Sequence, residues 1–208
     1  MEYTTFIEQL KERLKRPLPG KDAQLELASK SRLRSLLKIK PPPFAKKSAI
    51  LILFYSSGNE VFTILIQRPD YGGVHGGQIS FPGGKKEKED RDIVDTALRE
   101  THEEIGIETD HIEILGLLTD LYIFPSNHLV YPVLGCTTSP LSFRPDEREV
   151  SRILEIPLSA LFDEINLKQS EMLEVRGMPF EAPGFRIGTS YIWGATAMII
   201  NELKVMMA

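Results

Sequence analysis

The sequence predicts an α/β (α+β) sandwich built on a mixed sheet. Strand-length apolar runs recur from residue 49 to 192, helical stretches fall among them without a regular βαβ rhythm, and no internal repeat is present. A chain of 208 residues with 42% hydrophobic and 26% charged residues has an ordinary soluble composition. It can bury roughly 70% of its unfolded surface in one core.

Each element has a local reason. Residues 3–15 carry Phe6, Ile7, Leu10 and Leu14 on one face of a helix, and Pro17-Leu-Pro-Gly20 stops it. A basic, polar stretch then runs to Lys40. Pro41-Pro-Pro43 is a stiff spacer, so we divide the chain into an N-terminal helical extension with a Pro-rich linker (1–45) and a main domain (46–208). The extension is free to pack on the main domain, bind a partner or build a homodimer. Ala49–Tyr55 and Val61–Gln67 flank the turn Ser56-Ser-Gly-Asn59 and predict a hairpin. Residues 69–77 are glycine-rich and irregular, and Gln78–Phe81 is a short strand ending at Pro82-Gly83-Gly84. A helix is predicted over Asp92–Ile105, strands near 112–118 and 128–135, and a short helix after Pro157. Strands near 171–176 and 185–192 precede a last helix from Gly194 to Met206.

The bulk numbers exclude several functions. A net charge of −4 argues against a broad nucleic-acid surface. A single cysteine, Cys136, excludes an internal disulfide and a cysteine zinc cluster, and suits a reducing cytoplasm. The N-terminus lacks the pattern of a signal peptide, and the longest apolar stretch, Ile192–Ile200, is too short for a membrane helix.

The chemistry concentrates on the helix 92–105. Asp92 is placed to cap it, with Asp95 in capping-box spacing, and Gly106 is a natural stop followed by apolar Ile107. Ile93, Val94, Ala97, Leu98, Thr101 and Ile105 share the core face. Glu100, Glu103 and Glu104 lie together on the neighbouring face. Like charges at i, i+3 and i+4 cost a few tenths of a kcal/mol per pair, and partial burial costs more. Such a cluster is usually a solvated face; at a core boundary it makes sense with a hard divalent cation such as Mg²⁺, which takes oxygen ligands.

Gly84 followed by Arg99-Glu100-Thr101-His102-Glu103-Glu104-Ile105-Gly106-Ile107 resembles the Nudix box, R-E-U-x-E-E-x-G-U with U apolar. Thr101 stands where an apolar residue is usual, and Gly84 lies one residue further from the Arg-Glu pair than the general box has it. That spacing is typical of the coenzyme A pyrophosphatases. Ile64-Leu-Ile-Gln-Arg68, His75-Gly-Gly-Gln78, Phe81-Pro-Gly-Gly84, Thr96-Ala-Leu-Arg-Glu100 and Tyr191-Ile-Trp-Gly-Ala-Thr-Ala197 also resemble that subgroup. Glu155-Ile-Pro-Leu158 is a looser match. The subgroup usually has an arginine at the position of Gly73 and Ser or Ala at that of Pro69. Lys85 or Lys86 could take over from that arginine in meeting a 3′-phosphate.

The resemblance implies a Nudix-type α/β/α sandwich and a pyrophosphatase that cleaves coenzyme A, or a derivative, to 3′-phospho-AMP and 4′-phosphopantetheine. It places Mg²⁺ or Mn²⁺ at Glu100, Glu103 and Glu104, where the ions neutralise the diphosphate and lower the pKa of an attacking water. Glu103, Glu104 and Arg99 are the implied catalytic residues. Glu103 is the candidate general base, though family members also draw it from a later loop. Arg99 orients the glutamates, or forms an ordinary surface pair with Glu103. Arg68, His75, Gln78, Gly83 and Gly84 are the implied substrate-binding residues, with the two glycines allowing unusual backbone angles against the helix. Asp90 reads as a capping or solvated acid before a contributor to the metal site. His102, His111 and His128 show no metal-ligand spacing. Trp193 reads as core packing before base stacking, and Pro125-Ser-Asn-His128 could line the pocket. The alternatives are another nucleoside diphosphate substrate such as ADP-ribose or a dinucleotide, and a nucleotide-binding module without turnover. Neither nucleic acid nor membrane is expected as a partner.

Overall fold

In the computed structural model, residues 2–30, 33, 40–69, 77–175 and 178–208 are described. His75, and with it most of the glycine-rich loop, lies outside them. The hairpin forms as expected: β1 (Lys46–Ser57) and β2 (Glu60–Gln67) turn at Gly58, whose φ is 62°, with Phe54 opposite Thr63. β1 also runs parallel to β7 (His128–Thr137), from Lys46 beside His128 to Tyr55 beside Thr137. Around this pair stand β3 (Ile79–Ser80), β4 (Gly83–Lys85), β5 (Glu113–Leu117), β6 (Leu121–Ile123) and β8 (Arg152–Pro157). The main path of the sheet is β3-β2-β1-β7-β5, with β4 on β1, β6 on β7 and β8 on β2.

β1 is buried on both faces, which is why it reads as one unbroken apolar run. Ala49, Leu51, Leu53 and Tyr55 enter one core and Ile52 and Phe54 the other, the period-2 alternation of a pleated strand. The first core is covered by the acidic helix, α3 (Ile93–Ile105). The second is covered by α1 (Tyr3–Arg13) and the final helix, α5 (Gly194–Met207), with α2 (Gly20–Glu26) packed on α5. The order helix, sheet, helix is the expected sandwich. Phe6, Ile7 and Leu10 of α1 are buried in this second core, and Phe6 meets Phe54 edge-on at 5.0 Å, so the apolar face of α1 is spent on the body of the protein.

Several elements differ from the expectation. α2 forms inside the stretch read as basic and polar. Gly83–Lys85 is a strand, because β1 continues past the end of β2 and offers free backbone groups there. The region 185–192 is two strands: β10 (Met178–Ile187) and β11 (Ser190–Trp193) turn at Gly188, whose φ is 57°. With β9 (Leu167–Val175) they form a second, three-stranded sheet. The short helix after Pro157 is present as α4 (Leu158–Phe162). No described helix is long and apolar enough to cross a membrane.

Candidate active site

α3 is fixed at both ends. Asp92 accepts hydrogen bonds from the Val94 and Asp95 amides, at 2.8 and 2.9 Å, as the cap its sequence announces. The capping box does not close on Asp92. Asp95 instead accepts from the amide and guanidinium of Arg91, one residue earlier. At the other end Gly106 takes a φ of 68° and donates to His102 O. The segment after β7 then returns across this end: the Arg144 amide donates to Ile105 O at 2.8 Å and the Asp146 amide to Glu104 O at 3.0 Å. These bonds satisfy carbonyls a helix end leaves open. A Cβ on Gly106 would lie 2.6 Å from Arg144 O, so this closure requires glycine.

The three glutamates sit in three different environments. Glu103 is exposed and pairs with Arg99 Nη1 at 2.9 Å. Glu100 is half-buried, 3.0 Å from the same Arg99 atom, and its carboxylate lies directly over Gly84. A Cβ on Gly84 would come within 2.4 Å of Glu100 Oε2, so the absent side chain is the space the carboxylate uses. Glu104 is 1% exposed. It accepts from Arg68 Nη2 at 2.7 Å and from the Gly83 amide at 2.8 Å. Burial pushes the Glu104 carboxyl up to about 7, against the pull of Arg68 and the Gly83 amide. Burial also raises Glu100, helped by the like charges of Glu103 and Glu149.

The glycines contribute differently. Gly83 has a φ of 150°, and a Cβ there would lie 2.2 Å from Ala49 O, so the strand reaches β1 only with glycine. Gly84 has no such backbone requirement; it yields space.

Arg99 pairs with both Glu100 and Glu103, and its anchor is Asp90. Its Nε and Nη2 donate to the two Asp90 oxygens at 2.8 and 3.0 Å, which leaves Nη1 for Glu100 and Glu103. Asp90 is buried and also accepts from Thr96 Oγ1 and the Glu87 amide. The Arg99 guanidinium holds its carboxyl well below the usual carboxylate range. The capping or solvated role expected for Asp90 is therefore corrected: it is the fixed point of an arginine clamp.

Of the implied substrate-binding residues, Arg68 is half-exposed and turned onto Glu104 and Gly83 O. Gln78 is half-buried beside it, its carbonyl accepting from the Arg68 amide. Glu149 was not singled out in the sequence. Its carboxylate lies 3.9 Å from Arg68 Nη1, at the edge of the glutamate cluster, and its only sequence signal is the charge-rich run Asp146-Glu-Arg-Glu149. Trp193 packs against Phe180, with centroids 5.5 Å apart, in the second sheet. His102 bonds Ile107 O at the end of α3.

The donor set fits a hard divalent cation: three carboxylates on one helix face, one of them accommodated by a missing side chain. Among the described residues no three acidic, histidine or cysteine side chains converge to hold an ion as they stand. Arg68 engages Glu104, and Arg99 engages Glu103. Cation binding would exchange these guanidinium contacts for metal contacts, a trade between partners of like charge.

The chain is similar to known proteins in both sequence and fold. The NUDIX domain model matches residues 45–183. The chain is 37% identical over 138 residues to the human mitochondrial coenzyme A diphosphatase NUDT8, covering 65% of this chain and 58% of that protein. It is 34% identical over 139 residues to the uncharacterized Nudix hydrolase NudL of Pectobacterium atrosepticum, covering 64% of this chain and 69% of the relative. A crystal structure of the M. smegmatis Nudix hydrolase RenU superposes with a TM-score of 0.51 at 14% identity, over 77% of this chain and 85% of that one, and supports the fold. The expected enzyme class, a Nudix pyrophosphatase, agrees with these hydrolase relatives. By the extent of the domain match, the chain belongs to the NUDIX family.

Proposed function

We propose that this protein hydrolyses the diphosphate bond of coenzyme A or an acyl derivative, releasing 3′-phospho-AMP and 4′-phosphopantetheine, with Mg²⁺ or Mn²⁺ held by Glu100, Glu103 and Glu104. The observation that carries the reading is the seat of Glu100 in the space left by Gly84, with Glu104 buried beside it and Arg99 clamped by Asp90. That arrangement concentrates carboxylates which, without a cation, repel one another. The bound cation would neutralise the diphosphate and lower the pKa of the attacking water. The protein's own part is positional. Arg99 holds Glu100 and Glu103 in register, the Gly83 amide holds Glu104, and Arg68, once released from Glu104, is placed for a phosphate oxygen. Glu103, the most exposed of the three, is the candidate base; Glu149 stands on the later loop as the other acid within reach. The coenzyme A assignment rests on the upstream motifs and on kinship with the human coenzyme A diphosphatase. The lone cysteine suits a cytoplasmic setting.

The test is mass-spectrometric product analysis with coenzyme A, ADP-ribose and a dinucleoside polyphosphate, each with and without Mg²⁺ or Mn²⁺. Metal-dependent release of 4′-phosphopantetheine from coenzyme A is expected. Cleavage of ADP-ribose alone would overturn the substrate and keep the site. No cleavage of any of them would favour a binding module.

A further inference from the structure

We infer that the lower end of the β1/β4 ladder is a subsite for a phosphate monoester, built from Lys46 and Lys85 around Ser48 and His128; this rests on the coenzyme A reading and deepens it. Strand register places the four residues together. Ser48 lies opposite Lys85 in the antiparallel β1/β4 pair, and Lys46 lies beside His128 in the parallel β1/β7 pair. Lys46 and Ser48 are two residues apart on one strand, so all four side chains leave the same face of the sheet. Lys46 and Lys85 are then diagonal neighbours, with backbones about 7 Å apart, a separation two lysine side chains span easily around one tetrahedral anion. Ser48 is 5% exposed and its hydroxyl lies 2.5 Å from His128 Nδ1, giving the patch a polar, ordered floor.

The lysines themselves are available. Lys46 and Lys85 are exposed, and among the described residues neither has an ion-pair partner. Two unpaired cations side by side repel, so their proximity needs an anion more than two isolated surface lysines would. The chain is acidic overall, at −4, so the pair does not belong to a general positive field. Lys85 directly follows Gly84, over which Glu100 lies, and its carbonyl accepts from Arg99 Nη2. The subsite and the carboxylate cluster are therefore adjacent along one three-residue strand, on its two faces. Among the described residues β4 pairs only with β1; along its other edge Gly83 N–H, Gly83 O and Lys85 O meet Glu104, Arg68 and Arg99, so a ligand that spans the subsite and the carboxylate cluster passes beside these side chains. A ribose that carries the scissile diphosphate at one position and a monoester phosphate at another presents two such anions. Lys85 and Lys86 were the two candidates for this task by sequence, and the Lys86 ammonium is turned to Asp90 O; Lys46 and the Ser48–His128 floor come from the register.

The experiment compares coenzyme A with 3′-dephospho-coenzyme A in the wild type and in the Lys46→Gln/Lys85→Gln double variant. The same proteins are melted with adenosine 3′,5′-bisphosphate or with AMP. Both lysines are exposed, so the unliganded melting temperature of the variant should match the wild type. The wild type should favour coenzyme A by at least about tenfold in kcat/KM, the scale of one charge-assisted contact. The double variant should lose that preference through KM, with dephospho-coenzyme A turnover unchanged within about twofold. The bisphosphate should raise the wild-type melting temperature more than AMP does, and the variant should not distinguish them. A preference that survives in the variant, or a wild type that never distinguishes the two substrates, overturns the subsite. Should neither substrate be cleaved, the coenzyme A reading fails, and the melting comparison still decides the subsite: equal shifts with both nucleotides reject it.

Discussion

Glu104 and Glu202 are only 1% and 0% exposed, one on each side of the central sheet, and their surroundings differ in kind. Glu202, on α5, accepts from Gln24 Nε2 at 2.7 Å and from the Thr119 amide at 3.1 Å. Both donors are neutral, and the result ties α2 and the loop before β6 to α5. Glu104 accepts from a charged arginine and a backbone amide while Glu100 and Glu149 add like charge nearby. One carboxylate is a structural knot, satisfied by what already surrounds it. The other has one arginine against the like charge of Glu100 and Glu149, the setting the proposed cation would relieve. Burial of a carboxylate does not mark a site; the sign and number of its charged neighbours does.

Substitution separates the two most sharply. Glu104→Gln keeps an oxygen for one of its two donors, Arg68 or the Gly83 amide, and removes both the charge a cation needs and the cost of burying that charge. Turnover should fall at least about a hundredfold, the scale of a lost metal contact, while the melting temperature moves little. Glu202→Ala should do the reverse. It leaves the Gln24 amide and the Thr119 N–H without their acceptor, which costs about 1–3 kcal/mol in urea unfolding. Activity per folded molecule should persist.

Asp90→Asn extends the comparison to the clamp. Weakening a largely buried ion pair should cost on the order of 3 kcal/mol near neutral pH and lower turnover by releasing Arg99. The pH dependence has a definite sign. The Asp90 carboxyl is depressed in the folded protein, so its contribution is complete above the unfolded value of about 4 and fades as pH falls below it. The stability gap between wild type and Asp90→Asn should therefore narrow on acidification from pH 7 to pH 3; a gap that widens would contradict the clamp.

The two glycines offer a smaller contrast. In Gly84→Ala the new methyl meets the end of a flexible side chain, Glu100, so the fold should hold and turnover should drop about tenfold or more, the scale of one misplaced charge-assisted contact. In Gly83→Ala it meets the backbone at Ala49 O and Ile50 Cα, at 2.2 and 2.6 Å, from a φ of 150°, so folding itself should suffer. The smallest effect belongs to the helix cap: Asp92→Ala should cost about 1 kcal/mol with little change in turnover.

The reading of α3 from sequence succeeded because its signals are local. Asp92, Gly106 and the apolar stripe each act within one turn of where they stand. Asp90 was misread because its partner is nine residues away, and nothing in Lys-Glu-Asp-Arg announces a buried acid. β4 escaped because Gly83-Gly84-Lys85 has no strand propensity; it is recruited by the unpaired backbone of β1. The turn at Gly188-Thr189 lacks the Asn-Gly or Asp-Gly signature of a tight hairpin, so two strands read as one. Glu149 reaches the site because the loop after β7 doubles back to close the end of α3, a long-range event invisible to spacing. The domain and its acidic helix were thus legible, and the arginine anchors that organise the helix were not.

The most direct test of the account is the initial rate of 4′-phosphopantetheine release from coenzyme A by wild type, Glu104→Gln and Glu202→Gln, each with Mg²⁺ and after chelation. The account predicts metal-dependent release by wild type and Glu202→Gln and its loss in Glu104→Gln, with all three proteins folded. Release by Glu104→Gln within a few-fold of wild type, or release that persists after chelation, would contradict it.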